Sequence, residues 1–376
     1  MKPTVIGALR KFLPGLMATN PPLSREQRRA IWAIERCRTP AMGGTLYVCP
    51  QCGKEHFAYH SCNHRSCPQC GNATRQQWVR RELNKLINAP YFMVTFTLPQ
   101  ELRHCFFSGN QSKVFYDIFF AAASNSLKEK LATAKGFKAV RSGFTAVLHT
   151  WNQQLLYHPH LHFLVPGAGL DETGKVVQVK KPNYLIHLPL LQAAFRDEFR
   201  SQLKDHHWKV DPVVWDKTNW GIHIQPCGEG RAALKYLGQY VARTAIADSR
   251  IVKVTKDSVT FRWKDRAGGG GEKLQTISGI EFVRRYLRHV LPSGLRAIRY
   301  YGFCHPAAVK IREKLRSGLG MAPLSSNNKV PAIKEYQCPQ CHVALRPTGD
   351  LGALWKMNPN RGPPVKPIKL VRTRSC

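Results

Sequence analysis

The run His149-Thr150-Trp151-Asn152-Gln153-Gln154-Leu155-Leu156-Tyr157-His158-Pro159-His160-Leu161-His162-Phe163-Leu164-Val165 constrains this chain more than any other, because it puts four histidines among strand-forming residues. Side chains alternate faces along an extended strand, so His160 and His162 point one way while Leu161 turns into the core behind them. Val147–Trp151 and Tyr157–Val165 are expected to form a hairpin turning near Gln154 and Leu155, which sets His149 opposite His160 on the same face. Imidazoles converging in this way outline a metal site, with His149 or His158 as third ligand. His158 is the poorer choice, since three side chains in a row on one strand span roughly 13 Å at about 3.3 Å per residue. Singly, each histidine reads equally well as a solvated or core residue; only the pattern carries the metal reading.

Downstream, Arg231–Ile246 reads as a helix. At about 100° per residue, Leu234, Leu237, Val241 and Ala245 make one apolar stripe, and Tyr236, Tyr240 and Arg243 fall on roughly the opposite side. The two tyrosines are thus left outside the packing face, where they are available for chemistry.

Charge narrows the partner. With 57 Lys and Arg against 23 Asp and Glu, the formal net charge is +34, and a chain this basic repels itself unless a polyanion shares the space. Nucleic acid is the natural counterpart; no apolar run is long enough to span a membrane and no signal peptide opens the chain, so a cytoplasmic protein is expected. In a reducing compartment, C-x2-C pairs are zinc ligands before they are disulfides. Cys49-Pro50-Gln51-Cys52 and Cys67-Pro68-Gln69-Cys70 have the spacing of two knuckles on one tetrahedral structural Zn2+. Cys37, His60, Cys62 and His64 are possible extra ligands, and the lone knuckle Cys338-Pro339-Gln340-Cys341 is a possible C-terminal metal site.

Paired histidines on a strand followed by a helix with tyrosines four residues apart resemble the HUH endonuclease superfamily. The phrases His158–Leu170, Tyr236–Arg243 and Glu281–Pro292 narrow the resemblance to the two-tyrosine transposases of the insertion-sequence-91 group, with their N-terminal zinc-binding domain. That likeness also takes in Phe92–Pro99 and Ile298–Gly302. It implies Tyr236 and Tyr240 as nucleophiles taking turns, a catalytic Mg2+ or Mn2+ on His160, His162 and a third ligand, and rolling-circle movement of a single strand through a 5′-phosphotyrosine link. Members of the group usually carry a histidine where this chain has Thr45 and Ser66, which leaves one or two N-terminal zinc ions open. The order of attack by the tyrosines is also open.

The fold class expected is α+β, an antiparallel sheet backed by helices with an N-terminal zinc ribbon. The division expected is residues 1–88 for helices and zinc module, 89–265 for the catalytic domain, 266–345 for a basic helical region and 346–376 for a disordered basic tail. Thr4–Met17 is expected to be a helix broken at Pro14, and Ser24 with Gln27 a capping box. Arg75, Arg80, Arg81, Arg243, Arg284 and Arg285 are the expected contacts to DNA, preferentially single-stranded or hairpin-bearing element ends and target DNA. Two other functions share parts of this pattern: a plasmid replication initiator or relaxase using the same chemistry, and a zinc-ribbon DNA-binding regulator without catalysis.

Overall fold

The computed structural model describes residues 2–107, 111–216, 220–241, 245–265, 268–322 and 336–351. From the N-terminus, α1 (Val5–Ala18) and α2 (Arg25–Arg36) precede a hairpin of β1 (Gly44–Val48) and β2 (Glu55–Tyr59), then α3 (Asn72–Asn84). The middle of the chain runs β3 (Tyr91–Thr97), α4 (Ser112–Thr133), β4 (Gly143–Trp151), β5 (Tyr157–Pro166), β6 (Ala168–Leu170), β7 (Val176–Gln178), α5 (Leu188–Asp205), α6 (Val213–Asp216), β8 (Gly221–Pro226) and α7 (Arg231–Val241). It ends with β9 (Ile251–Val254), β10 (Ser258–Lys264), β11 (Glu272–Ser278), α8 (Gly279–Leu287), β12 (Ile298–Gly302), α9 (Val309–Gly318) and β13 (Arg346–Leu351).

The protein is α+β, and its centre is an antiparallel five-stranded sheet ordered β12-β4-β5-β3-β8. Alternation sorts the strand residues onto two faces. Phe92, Val94, Phe96, Leu161, Phe163 and Phe144 turn toward α4 and α5, where Phe115, Phe119, Phe195 and Phe199 complete an aromatic core. Tyr91, Met93, Val147 and Leu164 turn the other way and are covered by Ala233, Leu234 and Leu237 of α7, with Trp78 of α3. At one end of the same sheet His149, His158, His160 and His162 line a cleft.

A second core joins the N-terminal helices to a later part of the chain: α1 and α2 pack with α8 and the β9-β10-β11 sheet. Ser24 and Gln27 form the expected capping box on α2. Pro14, by contrast, does not break α1, which continues to Ala18. The proline removes one backbone hydrogen bond, but Leu9, Phe12, Leu13 and Leu16 are buried on one side, and the Arg10 guanidinium donates to the carbonyls of Ile34 and Cys37, so packing holds the helix through it.

The same core grips the tip of the β4–β5 hairpin. Leu155 is fully buried there with φ of 60°, a left-handed conformation that costs a branched residue energy and persists only where the surroundings enforce it. Around it, Asn152 Oδ1 accepts from the N–H groups of Gln154 and Leu156, Arg250 donates to the Gln153 carbonyl, Arg285 to that of Gln154, and His289 Nε2 lies 3.1 Å from the Leu155 carbonyl. Arg346–Leu351, expected in a disordered tail, forms β13 and pairs antiparallel with β1; the rest of that expected tail lies outside the described residues. Among the described residues no helix is long and apolar enough to cross a membrane.

Candidate active site

The hairpin register sets His149 of β4 directly across from His160 of β5, and His162 beside them across from Val147. One ring nitrogen from each of His149, His160 and His162 lies within 4.8 Å of the others, a spacing at which three imidazoles can ligate one ion. The rings are held from behind. His160 Nδ1 lies 2.7 Å from the His158 carbonyl, which can only accept, so Nδ1 carries the proton and Nε2 is the atom that could ligate an ion. His162 Nδ1 lies 2.9 Å from Thr95 Oγ1 on the neighbouring strand, the outer support that fixes a ligating imidazole's orientation. His149 stacks on Trp151 with ring centroids 5.7 Å apart. Burial pushes its pKa well below the ordinary value, and the charges His162 and His160 would carry add to the effect, so the ring stays neutral, as a ligand must.

His158 is directed elsewhere. Its Nδ1 accepts from Arg103 at 2.9 Å, and burial with that guanidinium lowers its pKa. As alternative third ligand it is displaced by His149, for the reason of strand length given above.

Helix α7 brings Tyr236 to the trio, with its ring centroid 6.2 Å from that of His162. Tyr236 is half-buried and lines the same cleft as the three histidines. The helix can lie this close because Gly238 faces α3: a Cβ there would meet Val79 Cγ2 at 2.1 Å. Tyr240 stands one turn further along α7, but its side chain is outside the described residues, as is Arg243 altogether.

The cleft has a volume of about 1340 Å³, and Arg262, Trp263 and Lys264 of β10 line it together with the histidines. Arg262 and Lys264 are exposed and were not singled out from sequence. Neither was His223 of β8, which shares Thr95 of β3 as register partner with His162 and so lies in the same row. A lone histidine in a short strand carries no pattern; only the sheet register reveals it.

The expected DNA-binding arginines divide. Arg80 and Arg81 are exposed on α3, and Arg75 is half-buried. Arg285 is structural instead: it bonds Glu281 at 2.8 Å and the Gln154 carbonyl at 3.1 Å, which ties α8 to the hairpin tip. Arg284 also bonds Glu281. Burial works against the Glu281 carboxylate, yet the hydrogen bonds from Arg285 and Arg284 outweigh it and hold its pKa below the usual range.

The cysteines also regroup. Cys49 and Cys52 do not share a site with Cys67 and Cys70. Cys67 and Cys70 join Cys37 and Cys62 in one cluster with ligand atoms within 4.8 Å, and Cys49 and Cys52 join Cys338 and Cys341 in another. The reason is the β1–β2 hairpin. Its turn carries Cys49 and Cys52, and the five residues of β2 return the chain about 17 Å before Cys62 is reached, at about 3.3 Å per residue. Thus Cys37 and Cys62 enter a set as extra ligands, whereas His60 Nε2 lies against Thr45 Oγ1 and His64 Nδ1 accepts from the Ser66 N–H. The first cluster is docked on the catalytic body by Arg65, which donates to the carbonyls of Leu291, Pro292 and Leu295, and by Tyr286, which donates to the Ser66 carbonyl. Four thiols at this spacing suit a structural zinc.

Comparison with known proteins agrees with this architecture. Residues 143–312 match the family described as "Putative transposase", and residues 8–98 match the family described as "Transposase zinc-binding domain". The chain is 35% identical over 378 residues to "Putative transposase y4qJ" of Sinorhizobium fredii, covering 90% of this chain and 93% of that protein. It is 28% identical over 302 residues to the transposase for insertion sequence element IS801 of Pseudomonas savastanoi pv. phaseolicola, covering 74% of this chain and 72% of that protein. No solved structure matches the chain.

Proposed function

This chain belongs to the insertion-sequence-91 family of transposases, and from that premise we propose that it nicks single-stranded DNA at element ends through a tyrosine nucleophile, forms a 5′-phosphotyrosine intermediate and transfers the strand in rolling-circle transposition. The observation that carries the reading is one cleft holding three mutually close histidine nitrogens and the Tyr236 ring beside them.

His149, His160 and His162 would hold the divalent ion, Mg2+ or Mn2+. Neutral nitrogen donors on one side of a cleft would hold such an ion and leave it open to the substrate's phosphate. When bound, such an ion polarises the scissile phosphate and stabilises the charge that develops as the bond breaks. Thr95 and the His158 carbonyl orient the rings, and Trp151 closes the site from the side. The Tyr236 hydroxyl then forms a bond to phosphorus, the bond from phosphorus to the 3′ oxygen breaks, and that oxygen takes up a proton as a free 3′-OH. A phenol is a weak nucleophile until it gives up its proton, which passes to water in the cleft as the bond to phosphorus forms. Because the new ester preserves the phosphodiester energy, the 3′-OH of another strand resolves it without ATP. Tyr236 and Tyr240 take turns, with Tyr236 first.

The substrate reading rests on charge and shape. A net charge of +34 pulls phosphates in, which supports association with the nucleoid, and Trp151 and Trp263 line the cleft, where unpaired bases of an element end would stack. The test is incubation of His160→Ala and His162→Ala with a labelled single-stranded end. Both are expected to lose the covalent adduct while retaining DNA binding, and an adduct at the wild-type level in either variant refutes the site.

A further inference from the structure

We infer that Cys49, Cys52, Cys338 and Cys341 form a second structural zinc site, in which knuckles from the two ends of the chain close on one ion and clamp the C-terminal strand onto the N-terminal ribbon. Their four sulfurs lie within 4.8 Å of one another, with Cys52 Sγ and Cys338 Sγ 3.8 Å apart across 286 residues of chain. A disulfide would bring two sulfurs together and leave the other two aside, whereas all four converge here.

The two knuckles make the same turn twice. Both read Cys-Pro-Gln-Cys. In the first, the Gly53 N–H donates to the Cys49 carbonyl at 2.9 Å, and Gly53 has φ of 70°; in the second, the His342 N–H donates to the Cys338 carbonyl at 2.9 Å, and His342 has φ of 56°. A left-handed histidine is uncommon, and its adoption of the glycine's conformation is what lets the second knuckle present its thiols like the first. The Cys52 N–H also points at Cys49 Sγ from 3.4 Å, the kind of donor that steadies a thiolate ligand.

The segment needs such a staple. Of residues 336–349, only Cys338 and Gly349 are buried, too little apolar surface to hold a short strand in place. It is also held by edge pairing of β13 with β1, by the Tyr47–Tyr336 ring contact at 5.1 Å and by the Thr348 hydroxyl, which donates to the Leu46 carbonyl. Cys338 and Cys341 lie between Tyr336 and β13 in the sequence, as Cys49 follows β1 directly, so an ion on the four sulfurs fixes the strand as well.

The experiment is zinc counting by elemental mass spectrometry on the full-length protein, combined with native alkylation and peptide mapping. One zinc ion is expected for each of the two cysteine clusters, and Cys338→Ser/Cys341→Ser is expected to lose one of them. In the wild-type protein, Cys338 and Cys341 should resist alkylation and become reactive together with Cys49 and Cys52 when a chelator is added. An unchanged zinc count in the double variant overturns the inference. So does alkylation of Cys338 and Cys341 in untreated protein at the rate of unfolded thiols, a measurement that decides the matter even if the variant does not fold.

Discussion

Adding one methyl group at Gly238 should displace Tyr236, the proposed nucleophile. The Cβ of an alanine there would sit 2.1 Å from Val79 Cγ2 and 3.6 Å from the Trp78 ring, and valine's branched side chain has no low-energy rotamer free to swing far. Overpacking of this kind costs about 1–3 kcal/mol, against a gain of about 1 kcal/mol from replacing glycine by alanine inside a helix. Gly238→Ala is therefore expected to destabilise by up to about 2 kcal/mol and, because α7 must move away from α3, to lower adduct formation by Tyr236. Val79→Ala removes the obstructing methyl. In the double variant the helix should return to its place, so urea unfolding of the four proteins should give a favourable coupling of about 1–3 kcal/mol, with adduct yield restored alongside. If Gly238→Ala alone is more stable than wild type and the two changes are additive, α7 does not pack as described and the placement of Tyr236 falls with it.

Leu155→Ala empties the socket that holds the hairpin tip, and a loss of about 2–5 kcal/mol in unfolding free energy is expected, as for other fully buried leucines. Acid should weaken the fold early. Burial holds the His289 pKa at about 4 and that of His149 well below normal, so the unfolded chain binds more protons than the native one once the pH drops below about 6.5. Stability is full above that value and declines beneath it, by about 1.4 kcal/mol per pH unit for His289 until about 4; urea unfolding midpoints that do not change between about pH 7 and 5 contradict this. Affinity for single-stranded DNA should fall steeply with salt, with a log–log slope of several units; a flat titration would remove the electrostatic basis of binding.

How much could be read from the sequence depended on whether the signal was local. His149, His160 and His162 were legible because alternation along a strand and a short hairpin fix their relation without reference to the rest of the fold. The stripe of Leu234 and Leu237 announced the buried side of α7, with Tyr236 on the opposite side. What failed was long-range pairing. Cys338 and Cys341 carry the same four-residue signature as Cys49 and Cys52, but proximity in sequence favoured Cys67 and Cys70 as partners, and only the length of β2 rules that pairing out. Arg285 looked like a phosphate contact because a basic residue on a helix gives no hint that a carbonyl, that of Gln154, waits 131 residues away. Arg262, Lys264 and His223 were missed for the same reason: they reach the cleft through sheet register and packing, not through any motif.

The most direct test of the central claim is to follow each end of a single-stranded element end during cleavage. If Tyr236 or Tyr240 attacks as described, a 3′ label must travel with the protein in a covalent complex that survives denaturant, while a 5′ label is released on a fragment ending in a free 3′-OH. Peptide mapping should place the nucleotide on Tyr236, and Tyr236→Phe/Tyr240→Phe should give no complex at all. A complex formed at the wild-type level by that double variant, or one that retains the 5′ label instead, would contradict the account.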